Sequence, residues 1–137
     1  MSIFSAMNIS GTGLTTFRTW VDALANNIAN VNTVKPTSQN AFQATYIQAQ
    51  EIGGAADGSG GGVQGVAVTE GDPKGVLTYQ PENPLADAKG YVRMPDVDMN
   101  EQMGNLIMAQ RGFQANAAVI DRARETYQDA INIGKNN

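Results

Sequence analysis

Few side chains in this sequence stand where they could do chemistry. Asp96 and Asp98 are two apart and follow Pro95. A carboxylate pair divides acid and base roles only where burial in a cleft drives its two pKa values apart. Here the pair leads into an apolar-periodic run, where a carboxylate caps a helix and meets the positive end of its dipole. The stretch GGAADGSGGG over residues 53–62 lacks the G-x-x-x-x-G-K-[ST] order that cradles phosphates, and reads as a flexible connector. The chain has no His and no Cys. That removes the commonest general base and metal ligand, any Ser-His-Asp triad, disulfides and thiolate metal sites. A Ser–Lys pair would have to draw on Lys35, Lys74, Lys89 or Lys135, none of them in a recognisable motif. The expectation is no catalytic residue, no cofactor, no metal and no enzyme; the spacing that carries information is that of the apolar residues.

Leu14, Phe17, Val21, Leu24, Ile28 and Val31 recur at alternating steps of three and four, the a/d seam of a helix that packs on another. Ser10 is the expected N-cap, and Lys35-Pro36 the expected stop, so this helix should cover about residues 10–33. A second seam runs through Met99, Met103, Leu106, Gln110, Phe113, Ala117, Ile120, Arg124, Tyr127 and Ile131, flanked by Ala109, Ala123 and Ala130. Asp98 with Glu101 has capping-box spacing at its start, and Gly134 suits a C-terminal stop. Two terminal helices with seams predict an antiparallel or crossed pair. The second is the longer, leaving about ten residues of its stripe without a partner on the first.

Between them the period changes. Short alternating stretches at Phe42 to Tyr46, Val63 to Val68, Val76 to Tyr79 and Tyr91 to Met94 are punctuated by Gly71-Asp72-Pro73, Pro81, Asn83-Pro84 and Lys89-Gly90. The expected fold class is α+β: two long terminal helices packed as a coiled-coil-like pair around a small central β-hairpin or meander. The expected divisions are 1–35, 36–97 and 98–137.

The 137 residues carry 9 Lys plus Arg against 13 Asp plus Glu, for a net charge of −4. That balance argues against nucleic acid, where a basic face supplies most of the affinity, and against an anionic membrane surface. No apolar run approaches the roughly 20 residues that span a bilayer, and no basic start followed by an apolar stretch marks a cleavable signal. Charged residues are 16% of the chain, below the roughly 25% usual for soluble domains. Polar seam positions (Gln110, Arg124), glycines inside the second helix (Gly104, Gly112) and asparagines in the first (Asn26, Asn27, Asn30) all weaken a lone helix pair. Such helices are expected to be partly disordered alone and to fold where neighbours bury them. Gln110 facing water and Arg124 snorkelling is the alternative. The Asn26–Asn32 cluster reads either as polar helix surface or as side-chain amides that fix the register of packed helices. Trp20, off the seam, is either an inter-subunit anchor or partly buried within the chain.

The string Ala25-Asn26-Asn27-Ile28-Ala29-Asn30-Val31-Asn32-Thr33 resembles the N-terminal signature of flagellar rod and hook axial proteins. Arg111 with Phe113-Gln114-Ala115-Asn116 is similar to their C-terminal R-x-[YF]-Q-A-N pattern. Asn83 to Asp87, Gly90-Tyr91-Val92 and Met94 to Asp98 resemble the proximal-rod, or FlgC, type of the flagellar basal-body rod family. The resemblance implies a structural subunit exported unfolded through the flagellar type III apparatus without a cleaved signal. In the periplasm it would assemble helically with itself and other rod subunits into a torque-transmitting shaft. The terminal helices would line the export channel, with the β segment outside. It also implies subunit contacts at Asn26, Asn30, Arg111, Gln114 and Asn116. Another flagellar axial subunit, or a non-flagellar coiled-coil adaptor, is the alternative.

Overall fold

The computed structural model describes residues 3–54 and 60–135. Two terminal helices, α1 (Ile3–Asn30) and α2 (Met99–Lys135), enclose four strands in sequence: β1 (Thr45–Gly54), β2 (Gly60–Glu70), β3 (Val76–Tyr79) and β4 (Tyr91–Met94). The strands form two separate antiparallel two-stranded sheets, β1 with β2 and β3 with β4. This is the α+β architecture expected from the change of period.

Helix α1 begins well before its expected cap. Ser10 does not cap it; it lies inside the helix and is buried. The run Ile3–Ile9 extends the helix towards the N-terminus, and its hydroxyl-rich middle is not a breaker because the hydroxyls are satisfied locally. Thr12 donates to the Ile9 carbonyl at 2.7 Å, Thr16 to that of Thr12 at 3.0 Å and Thr19 to that of Thr15 at 3.0 Å. Back-bonding of this kind takes away the competition that hydroxyls usually offer to the helix ladder. The helix ends at Asn30, three residues short of the expected 33. There the Asn30 amide donates to the Asn26 carbonyl at 2.9 Å, and the Thr33 N–H bonds to the Asn30 carbonyl at 2.9 Å. Lys35, ahead of Pro36, is already extended and bridges to Arg93.

Helix α2 starts as its sequence predicts: one Asp98 carboxylate oxygen accepts the N–H groups of Asn100 at 2.7 Å and Glu101 at 3.3 Å. Gly134 does not stop it, and the helix runs through to Lys135. A glycine terminates a helix by adopting positive φ, and the positive-φ glycines are Gly60, Gly61, Gly62, Gly75 and Gly90. At 28 and 37 residues, the helices are about 42 and 55 Å long.

Strands β3 and β4 fall where the alternation placed them. The first pair differs. Phe42 to Ala44 precede β1, held by the Ala41 N–H on the Pro73 carbonyl at 2.9 Å and the Gly71 N–H on the Ala44 carbonyl at 2.8 Å. Part of the expected loop is strand instead: Gly53 and Gly54 end β1, and Gly60–Gly62 open β2. Residues 55–59 of that loop lie outside the described residues. The ribbon carries one irregularity, with Gln48 opposite Ala67 but Ala49 opposite Gly65, which leaves Val66 as an extra residue on β2.

The core is small and partly polar. Ala23, Leu24, Ala41, Ala44, Val92 and Ala109 are its buried apolar members, and Ser10, Thr16, Asn27 and Gln102 are buried with them. Among the described residues α1 packs on α2 and on both strands of the ribbon, whereas β3 and β4 pair with each other and stand apart from the helices and the ribbon.

Candidate subunit interface

The helix pair is antiparallel. As position falls along α1 from Asn27 through Phe17 and Gly13 to Phe4, its partner on α2 rises from Gln102 through Gly112 and Asn116 to Tyr127. The residues of α2 that meet α1 are small or amidic. Ala109 is wholly buried, Gly112 faces the Phe17 ring, and the Asn116 amide sits over Gly13, where a Cβ would lie 2.7 Å from its oxygen. Asn116 keeps its own Nδ2–H on the Gly112 carbonyl at 2.9 Å. Phe4 and Tyr127 close the far end edge-to-face, with ring centroids 5.6 Å apart.

This geometry corrects part of the expected α2 seam. Tyr127 does meet α1, through Phe4, but the closest approach runs through Gln102, Ala109, Gly112 and Asn116. Met103 and Gln110 stand one residue further on, about 100° around the helix. Met103, Phe113 and Tyr127 are exposed, while Leu106, Ile120 and Ile131 are half-buried. On α1, Leu24 is buried and Leu14, Phe17, Val21, Ile28 and Val31 are half-buried. Gln110 and Arg124 face water. Val21 and Phe113, together with Arg18, Gln110 and Gln114, line a cleft where the two expected seams lie side by side. Large apolar side chains at heptad spacing thus remain uncovered: Met103 is 46% exposed and Ile107 49%.

Of the interface residues suggested by the motifs, Asn26, Arg111 and Gln114 are exposed. Asn30 and Asn116 are half-buried and engaged within the chain. Trp20 is half-buried and packs inside the molecule, its ring 6.1 Å from that of Phe17. With Thr16, Ile47, Ala49 and Val63 it lines a cavity between α1 and the ribbon.

The sequence list missed the centre of the structure. Asn27 and Gln102 are 0% and 1% exposed, among the largest fully buried side chains. Asn27 Nδ2 donates to Gln102 Oε1 at 2.9 Å and to the Thr45 carbonyl at 2.9 Å, and its Oδ1 accepts the Thr45 N–H at 2.8 Å. The asparagine cluster signalled this amide role; a polar Gln102 gave no apolar period to find. A second attachment lies about three to four turns away along α1. Thr12 Oγ1 accepts the Val63 N–H at 3.1 Å, and Thr16 Oγ1 donates to the Val63 carbonyl at 3.2 Å. Helix α1 therefore stands in for a neighbouring strand at both edges of the ribbon.

Outside the helices, Asp87 organises the β3–β4 connection. Its carboxylate accepts the N–H groups of Lys89 at 2.8 Å and Tyr91 at 3.0 Å and the Thr37 hydroxyl at 3.3 Å. The Tyr91 N–H first, then the Lys89 N–H, the Thr37 hydroxyl and the Lys89 charge, hold it below the ordinary 3.8, against a smaller opposing effect of desolvation. Arg93 donates to the carbonyls of Lys74 and Thr37, tying β4 to the turn between β2 and β3 and to the segment after α1. Among the described residues there is no cluster of three or more acidic, His or Cys side chains able to hold a metal ion. No helix among the described residues is long and apolar enough to cross a membrane.

A family model described as flagella basal body rod protein matches residues 7–37, most of α1 and the turn after it. A second, the C-terminal region of flagellar basal body rod FlgEFG proteins, matches residues 88–133, which hold β4 and nearly all of α2. The flagellar basal-body rod protein FlgC of Escherichia coli O157:H7 is 33% identical over 135 residues, covering 98% of this chain and all of the relative. FlgC of Borreliella burgdorferi is 31% identical, covering 97% and 98% of the two chains, and that of Bacillus subtilis 29%, covering 98% and all of it. The chain belongs to the FlgC family of flagellar basal-body rod proteins. As a FlgC-family protein it is a structural subunit of the basal body, assembling with other flagellar rod proteins. The two family models meet on the antiparallel pair, so the axial-protein signatures at Ala25–Thr33 and Arg111–Asn116 belong to one packed unit.

Proposed function

We propose that this subunit belongs to the proximal rod and assembles helically with itself and other rod proteins into the periplasmic drive shaft. The helix pair forms the inner layer, lining the export channel, and the central β segment lies outside it. The chain reaches that place through the flagellar type III export apparatus and orders fully on assembly.

The observation that carries this reading is the uncovered apolar stripe of α2, with Met103, Ile107 and Phe113 exposed beside a helix pair whose own contact uses other residues. A stripe of this period fits the helices of neighbouring axial subunits. Asn26, Arg111 and Gln114, exposed on the same two helices, supply polar subunit contacts, with Asn30 and Asn116 supporting the helices that carry them. The small β elements fit a subunit whose bulk lies in its helices.

Electron microscopy of cells lacking this gene tests the proposal, with motility and complementation scored alongside. Membrane rings without rod, hook or filament, rescued by the intact chain, are the expected result. Normal hooks and filaments would refute it, and a rod that forms but stops short of the hook would move the subunit away from the proximal position.

A further inference from the structure

The two attachments of the β1–β2 ribbon to α1 differ in what they depend on. At Val63 the N–H is held by the Thr12 hydroxyl and the carbonyl shares the single Thr16 hydroxyl proton with the Thr12 carbonyl, so both backbone groups depend on α1 alone. At Thr45 both are held by one amide, Asn27, whose second N–H goes to Gln102 on α2. A primary amide has two N–H donors in one plane with its oxygen. Orienting one donor on Gln102 therefore fixes the direction of the other donor and of the oxygen. All three groups are used in a site without water access, since Asn27 and Gln102 are 0% and 1% exposed.

We infer that Asn27 is a positioning residue that makes docking of the Thr45 end of the ribbon conditional on pairing of α1 with α2. Without the Gln102 oxygen, the Asn27 amide keeps a buried N–H with no acceptor, and such a group is costly to leave unmade. The amide turns to recover a partner and gives up its paired bonds to Thr45. The Val63 end has no such link and stays docked. The surface composed jointly of helix pair and ribbon thus forms as one piece, completed only when α2 is in place. This property belongs to the FlgC-family chain itself and holds whichever position in the rod the subunit takes.

Amide hydrogen exchange on the full chain, read by NMR at Thr45 and Val63, tests this. Gln102→Met keeps the side-chain length and removes the acceptor. Leu24→Ala loosens the α1 packing without touching an amide. In the parent chain both amides are expected to be protected. In Gln102→Met, Thr45 should exchange about tenfold faster relative to Val63. In Leu24→Ala the two should accelerate by the same factor. Equal acceleration of both amides in Gln102→Met, no acceleration at Thr45, or an unprotected Thr45 in the parent chain would each overturn the inference.

Discussion

The edge of the Phe17 ring fills the space in front of Gly112, so that a Cβ on Gly112 would overlap it. Gly104, two turns earlier on the same helix, has nothing within 4 Å of its own Cβ position. Alanine at these two sites should therefore act with opposite signs. Gly104→Ala should stabilise the chain by about 1 kcal/mol through helix propensity. Gly112→Ala should destabilise it by up to about 2 kcal/mol, because overpacking against an aromatic ring outweighs the same propensity gain. Urea unfolding followed by circular dichroism measures both, and a stabilised Gly112→Ala would show that the helices do not approach this closely.

The Asp87 carboxylate should titrate below 3.8, because three hydrogen bonds favour its charged form. A depressed folded pKa means that its stabilising effect is fully present above the unfolded value and is lost as pH falls through the folded one. The Lys89 and Tyr91 amide resonances should accordingly hold steady from neutral pH down to about 4 and shift only below it. A midpoint at or above 3.8 would contradict the hydrogen-bonded geometry.

Met103→Ser and Ile107→Ser remove apolar surface from the uncovered stripe. Both positions are exposed in the single chain, so each should change its unfolding free energy by no more than about 0.5 kcal/mol. Rod assembly in complemented cells should nevertheless fall, as scored by electron microscopy and swimming. Full complementation by the double variant would place the assembly contacts elsewhere.

Arg93 joins β4 to two other segments through backbone carbonyls, that of Lys74 in the turn between β2 and β3 and that of Thr37 after α1. Arg93→Lys should not rescue this junction, since one ammonium cannot span both acceptors as a planar fork does. Arg93→Met and Arg93→Lys should each cost about 1–3 kcal/mol. The loss should appear first as faster exchange of the Lys35 amide, which bonds to the Arg93 carbonyl at 2.9 Å.

Some of this was legible in residue order and some was not. The strands Val76–Tyr79 and Tyr91–Met94 were readable because Gly, Pro and Asn bound them closely. The Asp98 cap was readable because capping is local chemistry. Part of the α2 face was misread because the rule applied was that large apolar residues mark the packed seam. Here helix contact is set by closeness of approach, which selects Ala109, Gly112, Gly13 and the amides of Asn27, Gln102 and Asn116. The larger side chains were displaced to the flank, where a single chain leaves them open. Ser10 was misread for a related reason: hydroxyl residues signal a cap only when no helix precedes them.

The contact of Phe4 with Tyr127 lies at one end of the antiparallel pair, and Asn27 with Gln102 at the other. A force that parts the helices at the ring end loads one contact at a time, opening the pair turn by turn towards the amides. A force along the axes must instead shear the Gly13, Phe17, Asn27 and Gln102 contacts together. The same packing is compliant to peeling and stiff to sliding, a mechanical anisotropy that follows from chain direction alone.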